Sequence, residues 1–197
     1  MDGIRFTVRH AGGAFPAHIR AFGTHMVYSA LAAAAVGLEL GMTGEEIAAG
    51  IGAYRTVGNR AKVIRAGELT IISDCYNANP NSMRAALDSL VQLEGRRVCV
   101  LGDMLELGDE TVSLHCGVGE YAAQKGVELI IGCGTLGRHI AEGARASGGE
   151  TMFFQDKAAL ISRLGDIIRP GDCVLVKASH FMAFEDIVEK MVALYTV

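Results

Sequence analysis

After Lys62 the hydrophobic positions fall into short apolar runs that alternate with amphipathic stretches. The runs are KVIRA, LTIISD, RVCVLGD, VELIIGCG, TMFFQ and CVLVKAS. Strands that alternate with helices in this way are typical of βαβ units and a mostly parallel sheet. Most of the runs are continuously apolar, as expected for strands that helices cover on both faces. The pattern therefore predicts a doubly wound α/β domain.

The first part of the chain follows a different pattern. Residues 4–9 (IRFTVR) alternate as a strand does, and the next stretch, HAGGAFPAHIRAFG, predicts a turn and a second short strand. Residues 25–40 are apolar and rich in small residues, which predicts a buried helix that ends at Gly41. Thr43 predicts the start of another helix, because a glutamate three residues later completes a capping box.

The two patterns meet at a polar segment, residues 55–60 (RTVGNR), which is interpreted as a linker. We therefore predict one piece over residues 1–58 and one complete α/β domain over residues 59–197. The first piece has too few strands for a sheet with its own two-sided core. It is interpreted as the helical tail of a larger domain.

Composition narrows the classes of function. The formal net charge is -4, so no basic excess exists to bind nucleic acid or an anionic membrane surface. The five cysteines include no CxxC pair, and four of them lie in or beside apolar runs, which predicts buried, reduced thiols and a cytoplasmic protein. The charged start of the chain is not a signal peptide. No membrane insertion is expected, because MVYSALAAAAVGLEL is too short to cross a bilayer.

Ligands of open α/β sheets bind outside the carboxyl ends of the strands, so residues that follow the apolar runs are candidates for a functional site. Polar and charged side chains gather at these places. They are Asp74, Asn77 and Asn79 after LTIIS, Asp103 and Glu106 after RVCVLG, and Lys177 and Ser179 after CVLV. The pattern predicts one edge of the sheet that carries carboxylates, amides, an ammonium group and a hydroxyl.

Several candidates have two interpretations. Asn79 precedes Pro80, which is a common arrangement of a helix N-cap followed by proline. Asp74 is either solvated or a ribose acceptor, as strand-end carboxylates are in nucleotide-binding folds. Lys177 is either a surface lysine or the partner of a phosphate or carboxylate. Arg60 is either a solvated charge or the partner of an anion held between two domains.

The stretch LGDMLELGD has two glycines after a strand, but it is not interpreted as a phosphate loop. Its spacing matches neither GxGxxG nor GxxxxGK(S/T), and Asp103, Glu106 and Asp109 would repel a phosphate. No Gly-Lys dipeptide occurs in the chain, which excludes a Walker P-loop. His115 and His25 are interpreted as packed or partly exposed residues.

Three motifs, in this order, make the chain similar to the Mur ligase family. They are SDCYNANPNSMRAAL, VLGDMLELGDE followed by a histidine, and VLVKAS followed by Glu185. The earlier stretch GTHMVYSALAAAAVGLELG resembles the end of the family's central ATPase domain. The resemblance spans essentially the whole chain, and YNANP together with GDMxELG is its most specific part.

The resemblance implies a fragment of an ATP-dependent, amide-forming ligase of peptidoglycan synthesis, which uses ATP and Mg²⁺. Its substrates would be D-alanyl-D-alanine and UDP-N-acetylmuramoyl-tripeptide. Family members have a UDP-sugar domain, a central P-loop ATPase domain and a C-terminal domain for the amine. This chain would hold the end of the second domain, residues 1–58, and all of the third, residues 59–197, and would be inactive alone. The implied fold is α/β, with a Rossmann-like, mostly parallel sheet and helices on both faces.

The resemblance also implies roles for the candidate residues. ATP would phosphorylate a carboxylate and the amine would attack the acyl phosphate, so positioning and charge stabilisation dominate. Nucleotide binding is expected of Arg60, Asp74 and His25. Substrate binding is expected of Asn77, Asn79, Asp103, Glu106, Lys177 and Ser179. No catalytic residue and no metal ligand is assigned.

Two stretches depart from the family pattern. Met26 and Ser29 stand where relatives have nucleotide-binding asparagines, and His180 stands where they have an arginine. Two alternatives therefore stay open. One is a free-standing Rossmann-like module that binds a small ligand or regulates without catalysis, and the other is a Mur ligase relative that adds a different amino acid.

Overall fold

The computed structural model describes residues 3–56 and 60–196. It divides into two compact units, Met1–Val57 and Gly58–Val197. The predicted linker, residues 55–60, lies partly outside the described residues.

The N-terminal unit is a β-hairpin packed against two helices. Its elements are strand β1, Ile4–His10, strand β2, Gly13–Ile19, helix α1, Met26–Glu39, and helix α2, Gly44–Ala53. β1 and β2 pair antiparallel, and their inward residues, such as Val8 and Phe15, share a small core with Ile51. The predicted capping box is confirmed, because the Thr43 hydroxyl accepts from the backbone of Glu46 while the Glu46 carboxylate accepts from the backbone of Thr43.

Helix α1 is less buried than its apolar composition predicts. Small residues form its one buried stripe, and a Cβ atom built at Gly37 would lie 2.8 Å from the side chain of Ile47 in α2. Away from this stripe, Tyr28 is 77% exposed and Val36 is 60% exposed. The prediction of a buried helix is therefore wrong within this unit, because α1 is apolar on all sides whereas the unit covers only one of them.

The C-terminal unit is built on a six-stranded sheet. Its strands are β3, Lys62–Ala66, β4, Leu69–Asp74, β5, Arg97–Leu101, β6, Leu129–Cys133, β7, Thr151–Phe154, and β8, Cys173–Lys177. Their spatial order is β3-β4-β8-β5-β6-β7, with β3 antiparallel to β4 and the other pairs parallel. Each predicted apolar run forms one of these strands, which confirms the mostly parallel sheet.

Five helices flank this sheet. They are α3, Pro80–Leu90, α4, Thr111–Gln124, α5, Gly137–Ala146, α6, Lys157–Ile167, and α7, Glu185–Tyr195. Leu164 of α6 and Ile187 of α7 share one buried cluster with Ile71 and Val176 of the sheet. The neighbouring strand residues Ile72 and Leu175 are also fully buried, although in a strand they point to the opposite face. Both faces of the sheet are therefore covered, as the sequence predicts.

Strand β8 is the last strand along the chain, but in the sheet it lies between β4 and β5. The chain therefore changes its direction of winding around β8, and such a switch point opens a crevice at the carboxyl ends of the strands. The three strands end in register, because Lys177 pairs with Asp74 on one side and with Leu101 on the other. The topology thus brings three of the predicted polar segments to one edge.

The remaining expectations concern cysteines and membranes. All five cysteines are free; four of them are buried, as predicted, and Cys116 is partly exposed. Within residues 3–56 and 60–196, none of the helices has both the length and the apolar character required to cross a membrane.

Candidate functional site

Lys177 lies beneath the carboxyl edge of the sheet rather than on its surface. Its side chain is 2% exposed, and its Nζ atom donates to Asp74 Oδ2 at 2.6 Å and to the backbone oxygen of Asn77 at 2.7 Å. The ammonium group is thus paired with a carboxylate inside the protein. The interpretation of Lys177 as a surface lysine is wrong, and two of its three N–H donors are already bound to acceptors of the protein.

Asp74 connects Lys177 to the segment that precedes β3. Its Oδ2 atom accepts from Lys177, and its Oδ1 atom accepts from the backbone N–H of Ala61 at 3.1 Å. Ala61 adopts a left-handed conformation, with φ of 46°. The Asp74 side chain is 17% exposed, so it is not simply solvated. A carboxylate can accept about four hydrogen bonds, which leaves Asp74 able to receive a further donor.

The turn that follows β4 presents two asparagines to solvent. Both Asn77 and Asn79 are exposed. Asn79 is the N-cap of α3: its Oδ1 accepts from the backbone of Ser82 at 2.8 Å, and Pro80 is the first residue of the helix. The N-cap interpretation is therefore confirmed. The cap uses the side-chain oxygen of Asn79, so its amide nitrogen is the part available to a ligand.

Side chains from other elements occupy the backbone amides of the loop after β5. The N–H groups of residues 103–105 donate, in order, to Met182 Sδ at 2.9 Å, His115 Nε2 at 2.9 Å and Ser179 Oγ at 3.1 Å. An anion bound by a phosphate loop needs such amides to be directed at it. The geometry therefore agrees with the rejection of a phosphate loop from spacing. It also shows that the Ser179 hydroxyl, 7% exposed as a residue, supports this loop.

His115 holds the loop from within α4. The backbone oxygen of Thr111 lies 2.6 Å from Nδ1, and Nε2 accepts from Met104, so the ring is neutral with its proton on Nδ1. Burial lowers the pKa of His115 below its ordinary value, which keeps this state. Sequence reasoning took His115 as a packed residue and missed this role. The motif VLGDMLELGDE followed by a histidine contains the residue, but it does not show that the ring accepts from the backbone of Met104, eleven residues earlier.

Asp103 serves as a cap at the start of another helix. Its Oδ1 atom accepts from the backbone N–H groups of Leu136 at 3.0 Å and Gly137 at 2.8 Å, where α5 begins. Its backbone oxygen accepts from Ser179 at 3.2 Å. These contacts give Asp103 a structural role. The substrate contact predicted for Asp103 would therefore be made by its other oxygen, Oδ2. Glu106, by contrast, is exposed and left-handed, with φ of 64°.

Three residues with planar side chains line the same edge. The guanidinium carbon of Arg60 lies 4.0 Å from the ring centroid of Tyr76, and the rings of Tyr76 and His180 are 5.7 Å apart. Tyr76 is 46% exposed, and His180 Nδ1 lies 3.8 Å from a carboxylate oxygen of Glu185. Sequence reasoning named Tyr76 only as part of its motif. The sequence signal for Tyr76 was an aromatic residue between Cys75 and Asn77, directly after a strand.

Two sequence predictions fall outside this cluster. His25 belongs to the N-terminal unit, where it is exposed and precedes α1 without capping it through its side chain. Its predicted nucleotide contact stays a prediction. Over residues 3–56 and 60–196, no group of three or more histidine, cysteine, aspartate or glutamate side chains is placed to hold a metal ion.

Comparison with known proteins connects this edge to one family. Residues 59–180 match the family model described as "Mur ligase, glutamate ligase domain". The chain belongs to the Mur ligase family. The resemblance carried by YNANP and GDMxELG is thus confirmed, and the matched residues include the whole carboxyl edge of the sheet from Arg60 to His180.

Several similar proteins are named UDP-N-acetylmuramoyl-tripeptide–D-alanyl-D-alanine ligase. The protein from Bacillus subtilis is 34% identical over 97% of this chain and 42% of its own length. The protein from Escherichia coli is 35% identical over 96% of this chain and 42% of its own length. A crystal structure of MurF from Acinetobacter baumannii has a TM-score of 0.88 and 29% identity over 98% of this chain and 42% of that one. The chain thus spans about two fifths of these relatives.

Proposed function

We propose that this chain supplies the amine-substrate unit of an ATP-dependent Mur ligase that adds D-alanyl-D-alanine to UDP-N-acetylmuramoyl-tripeptide. The observation that carries the proposal is the turn at the switch point of the sheet, where exposed Asn77 and Asn79 stand beside a charge-compensated Lys177–Asp74 pair. The identity to relatives of that name, 34% and 35%, supports it. The proposal keeps the cytoplasmic location expected from the sequence.

A dipeptide zwitterion has requirements that this edge can meet. Its ammonium group needs acceptors, and its carboxylate needs donors. A primary amide offers both, and Glu106 adds an exposed carboxylate near the same edge. Because the amine must be held close to an acyl phosphate for attack, positioning dominates the rate. Lys177 is already neutralised by Asp74, so the dipeptide carboxylate must be met mainly by neutral donors or by Arg60.

The nucleotide would be only partly held by this chain. Arg60 is exposed above Tyr76 and can meet an anion, and Asp74 has room for a ribose hydroxyl. The sequence contains no Gly-Lys dipeptide, which a Walker P-loop requires. The terminal phosphates of ATP would therefore be bound by other parts of the ligase. Within this proposal, residues 1–58 are the end of the ATP-binding domain, and the predicted nucleotide contact of His25 belongs there.

The proposal is tested by titrating the chain with D-alanyl-D-alanine while recording amide signals by NMR. We expect perturbations at residues 76–79 and at Glu106, with weaker or absent effects from L-alanyl-L-alanine. Asn77→Leu should weaken binding at least tenfold. Asn81→Leu is the matched control, because Asn81 is exposed in the first turn of α3 and is not part of the predicted site.

Asn79 needs a variant that preserves its cap. Asn79→Ser keeps an N-cap oxygen but removes the amide nitrogen, so reduced dipeptide binding at unchanged stability is expected. The proposal is refuted if the dipeptide perturbs none of these residues, or if Asn77→Leu and Asn81→Leu bind it equally well. Selective perturbation of the same residues by another amino acid, such as D-glutamate, would instead support a relative with a different amine substrate.

A further inference from the structure

We infer that Lys177 is a positioning residue, whose buried ammonium fixes the Asn77 turn and, through Asp74, the segment that precedes β3. The inference rests on the proposed function only where it takes Asn77 as substrate-facing. It replaces the expectation that Lys177 itself touches the substrate. Two of the three N–H donors of Lys177 are already used by acceptors of the protein itself.

The first step is the burial of the charge. Lys177 is 2% exposed, and an unpaired buried ammonium would be strongly destabilising. The carboxylate of Asp74 compensates it at 2.6 Å, and the register of β4 and β8 places the two residues directly opposite each other. The sheet therefore fixes the ion pair before any ligand arrives.

The second step is the connection to the turn. The backbone oxygen of Asn77 lies three residues past the end of β4 and accepts from the same Nζ atom at 2.7 Å. A carbonyl that is held in this way orients its own peptide unit. The backbone from which the exposed Asn77 side chain extends is thereby pre-organised, which lowers the cost of ordering this turn when a ligand binds.

The third step is the connection to the segment before β3. The second oxygen of Asp74 accepts from the N–H of Ala61. Ala61 has a left-handed backbone conformation although it is not a glycine. Such a conformation is unfavourable for alanine and persists only where the surroundings determine it. Ala61, Asp74, Lys177 and Asn77 thus form one hydrogen-bonded chain. Loss of the ammonium should change the structure at both ends of this hydrogen-bonded chain, although Ala61 and Lys177 are more than a hundred residues apart in the sequence.

Lys177→Met removes the charge and both hydrogen bonds while it keeps most of the apolar stem. We expect the amide NMR signals of Ala61 and Asn77 to shift in the ligand-free protein, and the Ala61 amide to exchange at least tenfold faster with solvent. The matched control is Lys157→Met, because Lys157 also donates to an aspartate, Asp186, and to a backbone oxygen elsewhere in the unit. It should leave both signals in place.

A second variant covers the case in which Lys177→Met does not fold. The double variant Asp74→Asn with Lys177→Met leaves no uncompensated buried charge, yet it still lacks the donor to Asn77. Its Asn77 signal should remain displaced. A folded variant without the ammonium, single or double, whose Asn77 signal matches the wild type would overturn the inference.

The affinity of the variants for the dipeptide tests the functional consequence. We expect Lys177→Met to weaken D-alanyl-D-alanine binding at least tenfold, Lys177→Arg to restore part of it, and Lys157→Met to leave it unchanged. Weakened binding without any displacement in the ligand-free protein would mean that Lys177 contacts the dipeptide directly, which contradicts the inference. If the wild-type chain binds no dipeptide, the proposed function fails, while the ligand-free signals still decide the role of Lys177.

Discussion

Replacing Asp103 separates a structural carboxylate from a substrate-binding one. In the structure its Oδ1 atom accepts two backbone N–H groups at the start of α5, at 3.0 and 2.8 Å. Loss of an N-cap costs roughly 0.5–2 kcal/mol, and hydrogen bonds to charged groups contribute about 1.5–3 kcal/mol. Because Asp103 is partly exposed, we expect Asp103→Ala to lower the free energy of unfolding by about 2–3 kcal/mol.

Asp103→Asn makes the comparison decisive. The amide oxygen can still accept both N–H groups, and the variant loses only the favourable interaction of a negative charge with the helix N-terminus, about 0.3–1 kcal/mol. Urea unfolding measures both variants, and a parallel titration with D-alanyl-D-alanine measures binding. Asp109→Ala is the control, because Asp109 is exposed in the same loop. A large loss of dipeptide binding in a stable Asp103→Asn protein would assign a substrate contact to Oδ2, whereas unchanged stability of Asp103→Ala would refute the structural role of Oδ1.

Three further predictions concern packing, pH and thiol reactivity. Gly119→Ala should destabilise the protein by about 1–3 kcal/mol in urea unfolding, because its Cβ atom would lie 1.9 Å from a backbone oxygen of α5. Gly117→Ala in the same helix, 3.7 Å from its nearest neighbour, should stabilise it by about 0.5–1 kcal/mol; equal effects would contradict this packing. Burial lowers the pKa of His115, so its stabilising effect is complete above the unfolded pKa, about 6.5, and is lost as the pH falls through the folded value. The free energy of unfolding should therefore fall more steeply below pH 6.5 in the wild type than in His115→Gln, and parallel curves would argue against the role of His115. Among the five cysteines, Cys116 should react first with a thiol reagent in the folded protein, since the other four are buried; mass mapping of the labelled peptide checks this order.

Local sequence predicted the elements because their signals lie within a few residues. Continuous apolar runs became buried strands, and Asn79 before Pro80 became the cap of α3. The order of the strands in the sheet could not be predicted from local sequence. Nothing in the local pattern of β8 indicates that it inserts between β4 and β5, since this pairing joins distant parts of the chain.

The candidate site shows the same division. The rule that ligands bind at the carboxyl ends of strands was enough to find Asp74, Asn77 and Lys177. The rule does not distinguish residues that face a ligand from residues that are hydrogen-bonded to one another. It also overlooked Tyr76 and His115, whose partners come from other parts of the unit.

The sequence by itself determined the alternation of strands and helices, the family and the edge at which polar residues collect, because periodicity, caps and motifs are properties of neighbouring residues. Only the tertiary structure decided that Lys177 is buried against Asp74 and that the amides of the loop after β5 are occupied by side chains. The physical reason is that both facts depend on pairs far apart in the chain. The desolvation that makes them matter arises only when the sheet and its helices have closed around them.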